Sequence, residues 1–158
     1  MIQLIRVDDR LLHGQVAYSW KAFLGYEAIV IVSDSVATDD IRKAAIKMAK
    51  PDGVRLAIRN VKDALLLLKD DRLKNLKVFV VTDSIQAASE LINNISEKVT
   101  LNIGGIQKKN NTKQITSFAY LTASECETLK MLDTKGINIE FKLVPDDKPK
   151  YFKDIIWG

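Results

Sequence analysis

Five ionisable side chains crowd into eight consecutive residues near the start of the chain. The stretch Arg6-Val7-Asp8-Asp9-Arg10-Leu11-Leu12-His13 holds two arginines, two aspartates and the only histidine of the sequence. Gly14-Gln15-Val16 follows, where a helical pattern begins. An imidazole with one ring nitrogen held by a carboxylate presents the other as a nucleophile. Asp8 or Asp9 could supply that carboxylate. Arg10, three residues before His13, offers a planar fork to phosphate oxygens. The free N–H groups of a helix start favour an anion, and Gly14 permits close backbone approach. Together these parts suit an imidazole that accepts a phosphoryl group. The plain alternative is a surface histidine among charges that merely balance one another. Leu11 and Leu12 either present an apolar centre for a partner or anchor the loop to the core.

Other chemistries lack their residues. The loop has neither G-x-G-x-x-G nor Walker glycines. One histidine and one cysteine make no zinc pattern. Cys126 shares helical spacing with Leu129 and Leu132 and reads as a small apolar residue. The net charge of +4 is spread along the chain, without the basic face interleaved with aromatics that nucleic acid requires. No apolar run approaches the roughly 20 residues of a membrane span. An Arg and two Asp interrupt the N-terminus, so no signal peptide is read and a cytoplasmic location is expected.

The elements that must hold this loop alternate between strand and helix. Strands are expected at Ile2 to Val7, Ala28 to Val32, Val54 to Ile58, Lys77 to Thr82 and Val99 to Ile103. Helices are expected from Gly14 to Leu24 with Gly25 as stop, and after caps at Thr38, Asn60 and Ser84. Beyond Gly104-Gly105, a sixth strand is read over Ile115 to Leu121. The capping box Thr122-Ala-Ser-Glu125 opens a helix closed by Gly136. Strict alternation over Ile137 to Leu143 suggests a seventh strand at a sheet edge, and Pro149 to Trp157 a terminal helix. At 158 residues, with 47% hydrophobic and 28% charged side chains, the chain fits one domain, 1-158. The expected class is α/β: a doubly wound, mostly parallel sheet with helices on both faces. Such sheets bind ligands at strand carboxyl ends, where the His13 loop lies.

The string from Ile5 to Val16 closely resembles the active loop of the IIB subunits of the mannose/fructose/sorbose class of the bacterial phosphoenolpyruvate-dependent sugar phosphotransferase system. The likeness extends over Ile29 to Asp34, the Arg-Lys-bearing helix that follows, Pro51 to Val54, Leu101 to Gly105 and Lys135 to Glu140. It implies a seven-stranded sheet with one antiparallel edge strand. It also implies that His13 receives a phosphoryl group on Nδ1 from a IIA phosphohistidine. His13 would pass that group to a sugar held by the membrane subunits IIC and IID, at the inner face of the membrane. By the same resemblance Arg10 balances phosphate charge and Asp8 orients the ring through Nε2. Arg6, Asp9, Gly14 and Gln15 support the loop, and Lys108 or Lys109 is a candidate second phosphate contact. No cofactor or metal is implied. A second copy of the chain could pair through strand seven at a sheet edge or through an apolar helix face, though nothing demands it. The competing readings are a receiver-like signalling domain and a non-catalytic sugar-phosphate binding module. The receiver reading needs an acceptor Asp at the end of strand three, where Ile58-Arg59-Asn60 stands.

Overall fold

The computed structural model describes residues 1–155. Its main sheet joins β1 (Ile2–Val7), β2 (Ala28–Val32), β3 (Arg55–Arg59), β4 (Val78–Thr82), β5 (Leu101–Ile103), β8 (Ile139–Phe141) and β9 (Lys150–Tyr151). The order is β3-β2-β4-β1-β5-β8-β9. All pairings are parallel except that of β8 with β9, which closes one edge antiparallel. Continuous apolar runs form the centre: every residue of β2 and β4 is buried. Each fully buried aliphatic side chain there contributes about 1.5–3 kcal/mol.

Helix placement follows from connection direction. Right-handed crossovers put the helices of leftward and rightward steps on opposite faces. The steps from β1 to β2 and from β2 to β3 run one way, through α1 (Gly14–Leu24) and α2 (Asp40–Ala49). Trp20 and Ile46 of these helices pack with Leu4, Ile31 and Phe79. The later steps run the other way, through α3 (Val61–Leu68), α4 (Ile85–Asn94) and α5 (Ala123–Thr134). Their Ala64, Leu91 and Leu129 pack with Ile5, Val80 and Leu101. The connections leaving β1 and its neighbour β5 therefore run in opposite directions, and between their carboxyl ends lies the crevice expected of such a sheet.

Four expectations need correction. The expected sixth strand is a hairpin of β6 (Thr112–Thr116) and β7 (Ala119–Thr122), forming its own two-stranded sheet. Its apolar residues Ile115, Ala119 and Leu121 still reach the core. The alternating seventh strand is not the edge, because β9 covers β8. The terminal segment forms β9 and a 3-10 turn over Phe152–Asp154 instead of a helix. Pairing with β8 and burial of Phe152 outweigh local helix preference there; Ile156 and Trp157 lie outside the described residues. Finally, α2 is capped by Asp39, whose side chain accepts from the Arg42 backbone, while Thr38 ends a preceding 3-10 turn. The Thr122–Glu125 capping box, and the caps at Asn60 and Ser84, form as expected. Cys126 is half-buried against the core, and burial raises its thiol pKa.

Candidate functional site

The strand period places Leu4 and Arg6 on the α1 face of the sheet and Ile5 and Val7 on the other. A charged guanidinium thus enters an apolar layer, 1% exposed, 5.3 Å from the centre of the Trp20 ring. Burying a lone charge costs several kcal/mol, so partners are obligatory. Arg6 Nη2 donates to Asp8 Oδ2 at 3.0 Å. Its Nη1 donates to Asn102 Oδ1 at 2.6 Å and to the Lys142 carbonyl at 3.1 Å. Asn102 in turn donates to Glu140 Oε2 at 2.9 Å. Burial pulls the Arg6 pKa below its ordinary value, while Asp8 and Glu140 oppose that shift. Gly104 lies so close that a Cβ there would collide with the guanidinium.

Asp8, 2% exposed, organises the loop from this anchor. Its Oδ1 accepts from the Arg10 backbone at 2.9 Å, and its carbonyl accepts from the Leu11 N–H at 2.9 Å. The tight turn drives Leu11 to φ 58°, a conformation costing a side-chain-bearing residue about 1–2 kcal/mol. Burial compensates: Leu11 and Leu12 are 1% and 4% exposed, so they anchor the loop and do not present an apolar centre.

His13 then caps α1 with extended backbone, φ −151° and ψ 143°, and its side chain makes no capping bond. The ring is free for other work. Nε2 lies 3.4 Å from Asp8 Oδ2, at the long end of hydrogen bonding. The side chain retains 21% exposure. Among the described residues no hydrogen-bond partner meets Nδ1. A carboxylate against Nε2 favours the tautomer with the proton there, leaving the Nδ1 lone pair available.

The remaining residues expected from sequence divide clearly. Arg10 is exposed beside His13, on the wall of a groove of about 340 Å³ between this loop and α2. Asp9 accepts from the Gln107 backbone at 2.6 Å and donates its own N–H to the Gly105 carbonyl at 2.9 Å. It therefore stitches the first loop to the β5–β6 connection. Lys108 and Lys109 sit on that connection with exposed side chains, and the bond to the first loop comes from Gln107 instead. Gly14 has a positive φ of 30°. The Gln15 side chain lies outside the described residues. Sequence reading gave no role to Trp20, Asn102, Gly104 or Lys142. The string Leu101 to Gly105 stood out only as a resemblance. No group of metal-ligating side chains gathers among the described residues, and no helix there is long and apolar enough to cross a membrane.

Known proteins share the sequence pattern and the fold as a whole. Residues 2–157 match the family model for the sorbose-subfamily IIB component of the phosphotransferase system. The sorbose-specific EIIB component of Lacticaseibacillus casei is 34% identical over 93% of this chain and 90% of its own length. The mannose-specific EIIAB component of Escherichia coli is 27% identical over 99% of this chain, which spans 48% of that longer protein. The crystal structure of the IIB domain of the Klebsiella pneumoniae sorbose permease superposes with a TM-score of 0.92 at 25% identity, covering 98% of this chain and 95% of that domain. Fold and sequence agree, and the chain belongs to the sorbose-subfamily IIB components of the sugar phosphotransferase system, a family of phosphotransferase-type domains.

Proposed function

We propose that residues 1–158 act as one phosphocarrier domain, with His13 as the group that carries the phosphoryl. A IIA partner would donate from its own phosphohistidine, and a sugar held by membrane IIC and IID subunits would accept, on the cytoplasmic side. The observation that carries this reading is the Arg6–Asp8–His13 chain, in which Asp8 Oδ2 meets Arg6 at 3.0 Å and His13 Nε2 at 3.4 Å. With its proton on Nε2 facing Asp8, the ring attacks phosphorus through the Nδ1 lone pair. The Nδ1–P bond forms as the donor N–P bond breaks, and the bonding pair returns to the donor ring nitrogen. Onward transfer breaks Nδ1–P and forms a bond to a sugar oxygen, whose proton leaves with a base on the acceptor side. Charge in such a loose transition state spreads over the equatorial oxygens. Arg10 and the N-terminus of α1 supply fixed positive charge for them. Asp8 is engaged with Arg6 and the loop backbone, so it is not placed as a base toward attacking water. The fused mannose EIIAB relative supports a IIA domain as donor.

The test is incubation with phosphoenolpyruvate, the general phosphotransferase proteins and a cognate IIA, followed by peptide mapping. The expected adduct is acid-labile, alkali-stable, located on His13 and lost in His13→Ala. Absence of labelling with several active IIA donors would reject the carrier reading in favour of a binding module. An alkali-labile adduct on a carboxylate would point to the receiver reading.

A further inference from the structure

The groove beside His13 has the first loop as one wall and α2 as the other. Arg42, Ala45 and Ile46 face Arg10, Leu12 and His13 across about 340 Å³. Its lining contains two arginines and no carboxylate. The acids of this region point elsewhere: Asp8 is bonded behind the ring, and Asp9 is tied to Gln107. Arg42 is also tethered. Its Nη1 donates to Ser35 Oγ at 3.4 Å, Ser35 meets Ser33 Oγ at 3.2 Å, and Ser33 donates to Asp83 Oδ2 at 2.6 Å. That chain holds Arg42 along the groove while its other guanidinium N–H groups stay available. An apolar floor with two guanidinium groups complements one occupant, a compact dianion with several acceptor oxygens.

Building on the carrier reading above, we infer that Arg42 is a second contact for the phosphoryl group, binding its oxygens opposite Arg10 during transfer and while the group resides on His13. The bonding change is unchanged: Nδ1–P forms and the donor N–P bond breaks. Arg42 neither gains nor loses a proton, since a guanidinium stays charged. Two arginines from separate elements would clamp the equatorial oxygens from both sides, and α2 becomes part of the site.

The test uses two donors on the intact protein: phospho-IIA and phosphoramidate, a small phosphoryl donor that needs no docking surface. Labelling of His13 is followed in single turnover for wild type, Arg42→Ala and Arg42→Lys, with thermal melting as the folding control. Arg42→Ala is expected to slow labelling about tenfold with both donors, below the 10²–10³ of a fully desolvated donor because Arg42 is exposed. Arg42→Lys is expected to recover most of the loss. Slowing with phospho-IIA alone would place Arg42 against the donor protein and overturn the phosphoryl contact. Rates within twofold of wild type with both donors would overturn it outright. Failure of wild type to label with either donor would reject the carrier reading itself, a result separable from the others.

Discussion

Asp8 has two carboxylate oxygens, and each holds a different part of the loop. Oδ1 fixes the backbone at Arg10, while Oδ2 is shared by Arg6 and His13. Asp8→Asn preserves shape but removes the counter-charge of a buried guanidinium. Breaking one partner of such a pair costs about 3–5 kcal/mol. The amide could also donate to Nε2 and drive the imidazole proton onto Nδ1. The expected outcome is a lower urea midpoint, phosphorylation of His13 slowed by about 10² or more, and a changed tautomer in imidazole ¹⁵N shifts. Normal transfer by a folded Asp8→Asn protein would remove Asp8 from the proposal. Gly104 is tested separately. Gly104→Ala forces a methyl into the Arg6 guanidinium and should cost about 1–3 kcal/mol by overpacking. Gly105→Ala is the control, because its Cβ would meet neighbours only at 3.9 and 4.0 Å; equal losses in both would dismiss the collision. The candidate residues His13, Asp8 and Arg10 could be picked out together because they are close in sequence. Asn102 and Gly104 were not, because the register that pairs Arg6 with Asn102 is a property of the folded sheet.

Elements were legible where punctuation is local. Caps at Asn60, Ser84 and Thr122 mark helix starts by short-range hydrogen bonds, and β-branched runs mark the buried strands. The β6–β7 hairpin was hidden because Ile115, Ala119 and Leu121 keep a two-residue period across its turn. One long strand and a tight hairpin therefore share a pattern. The terminal strand was hidden because only β8 gives Lys150 and Tyr151 something to pair with. The β5–β6 connection offers a test at this scale. It is fastened to the His13 loop through Asp9, which accepts from the Gln107 N–H. In Asp9→Ala that amide loses its acceptor, so hydrogen exchange should accelerate at Gln107 and its neighbours while the central strands keep their protection. Global stability should fall by only about 0.5–1.5 kcal/mol, because the freed donor is exposed and finds water. Unchanged exchange at Gln107 would show that the connection is held without Asp9.

At the scale of the whole molecule, the two helical layers meet the sheet differently. The face carrying α3, α4 and α5 is mainly aliphatic, with Phe141 and Phe152 toward its β8–β9 edge, whereas the α1 face stacks aromatics and buries polar groups. Tyr26 lies there fully buried, its ring 5.1 Å from Phe79 and its hydroxyl donating to the Ala17 carbonyl at 2.7 Å. It thereby ties α1 to the sheet. Burial, with a smaller contribution from Tyr18, raises the Tyr26 pKa well above the ordinary tyrosine value. An unfolded chain releases that proton from about pH 10. The folded chain retains it, because ionisation would place an unpaired phenolate in an apolar layer. The unfolded state therefore binds fewer protons above pH 10, and stability must fall as pH rises. Below pH 10 the contribution is complete. Above it, this one group removes up to about 1.4 kcal/mol per pH unit until its folded pKa is reached. Tyr26→Phe gives up the bond to Ala17 and should begin about 1 kcal/mol less stable at pH 8. It also has no proton to lose, so its urea midpoint should decline less steeply between pH 10 and 11. The two curves are expected to converge as pH increases. Parallel curves would mean that the Tyr26 hydroxyl ionises without disturbing the layer between α1 and the sheet, and that alkaline loss of stability originates elsewhere in the fold.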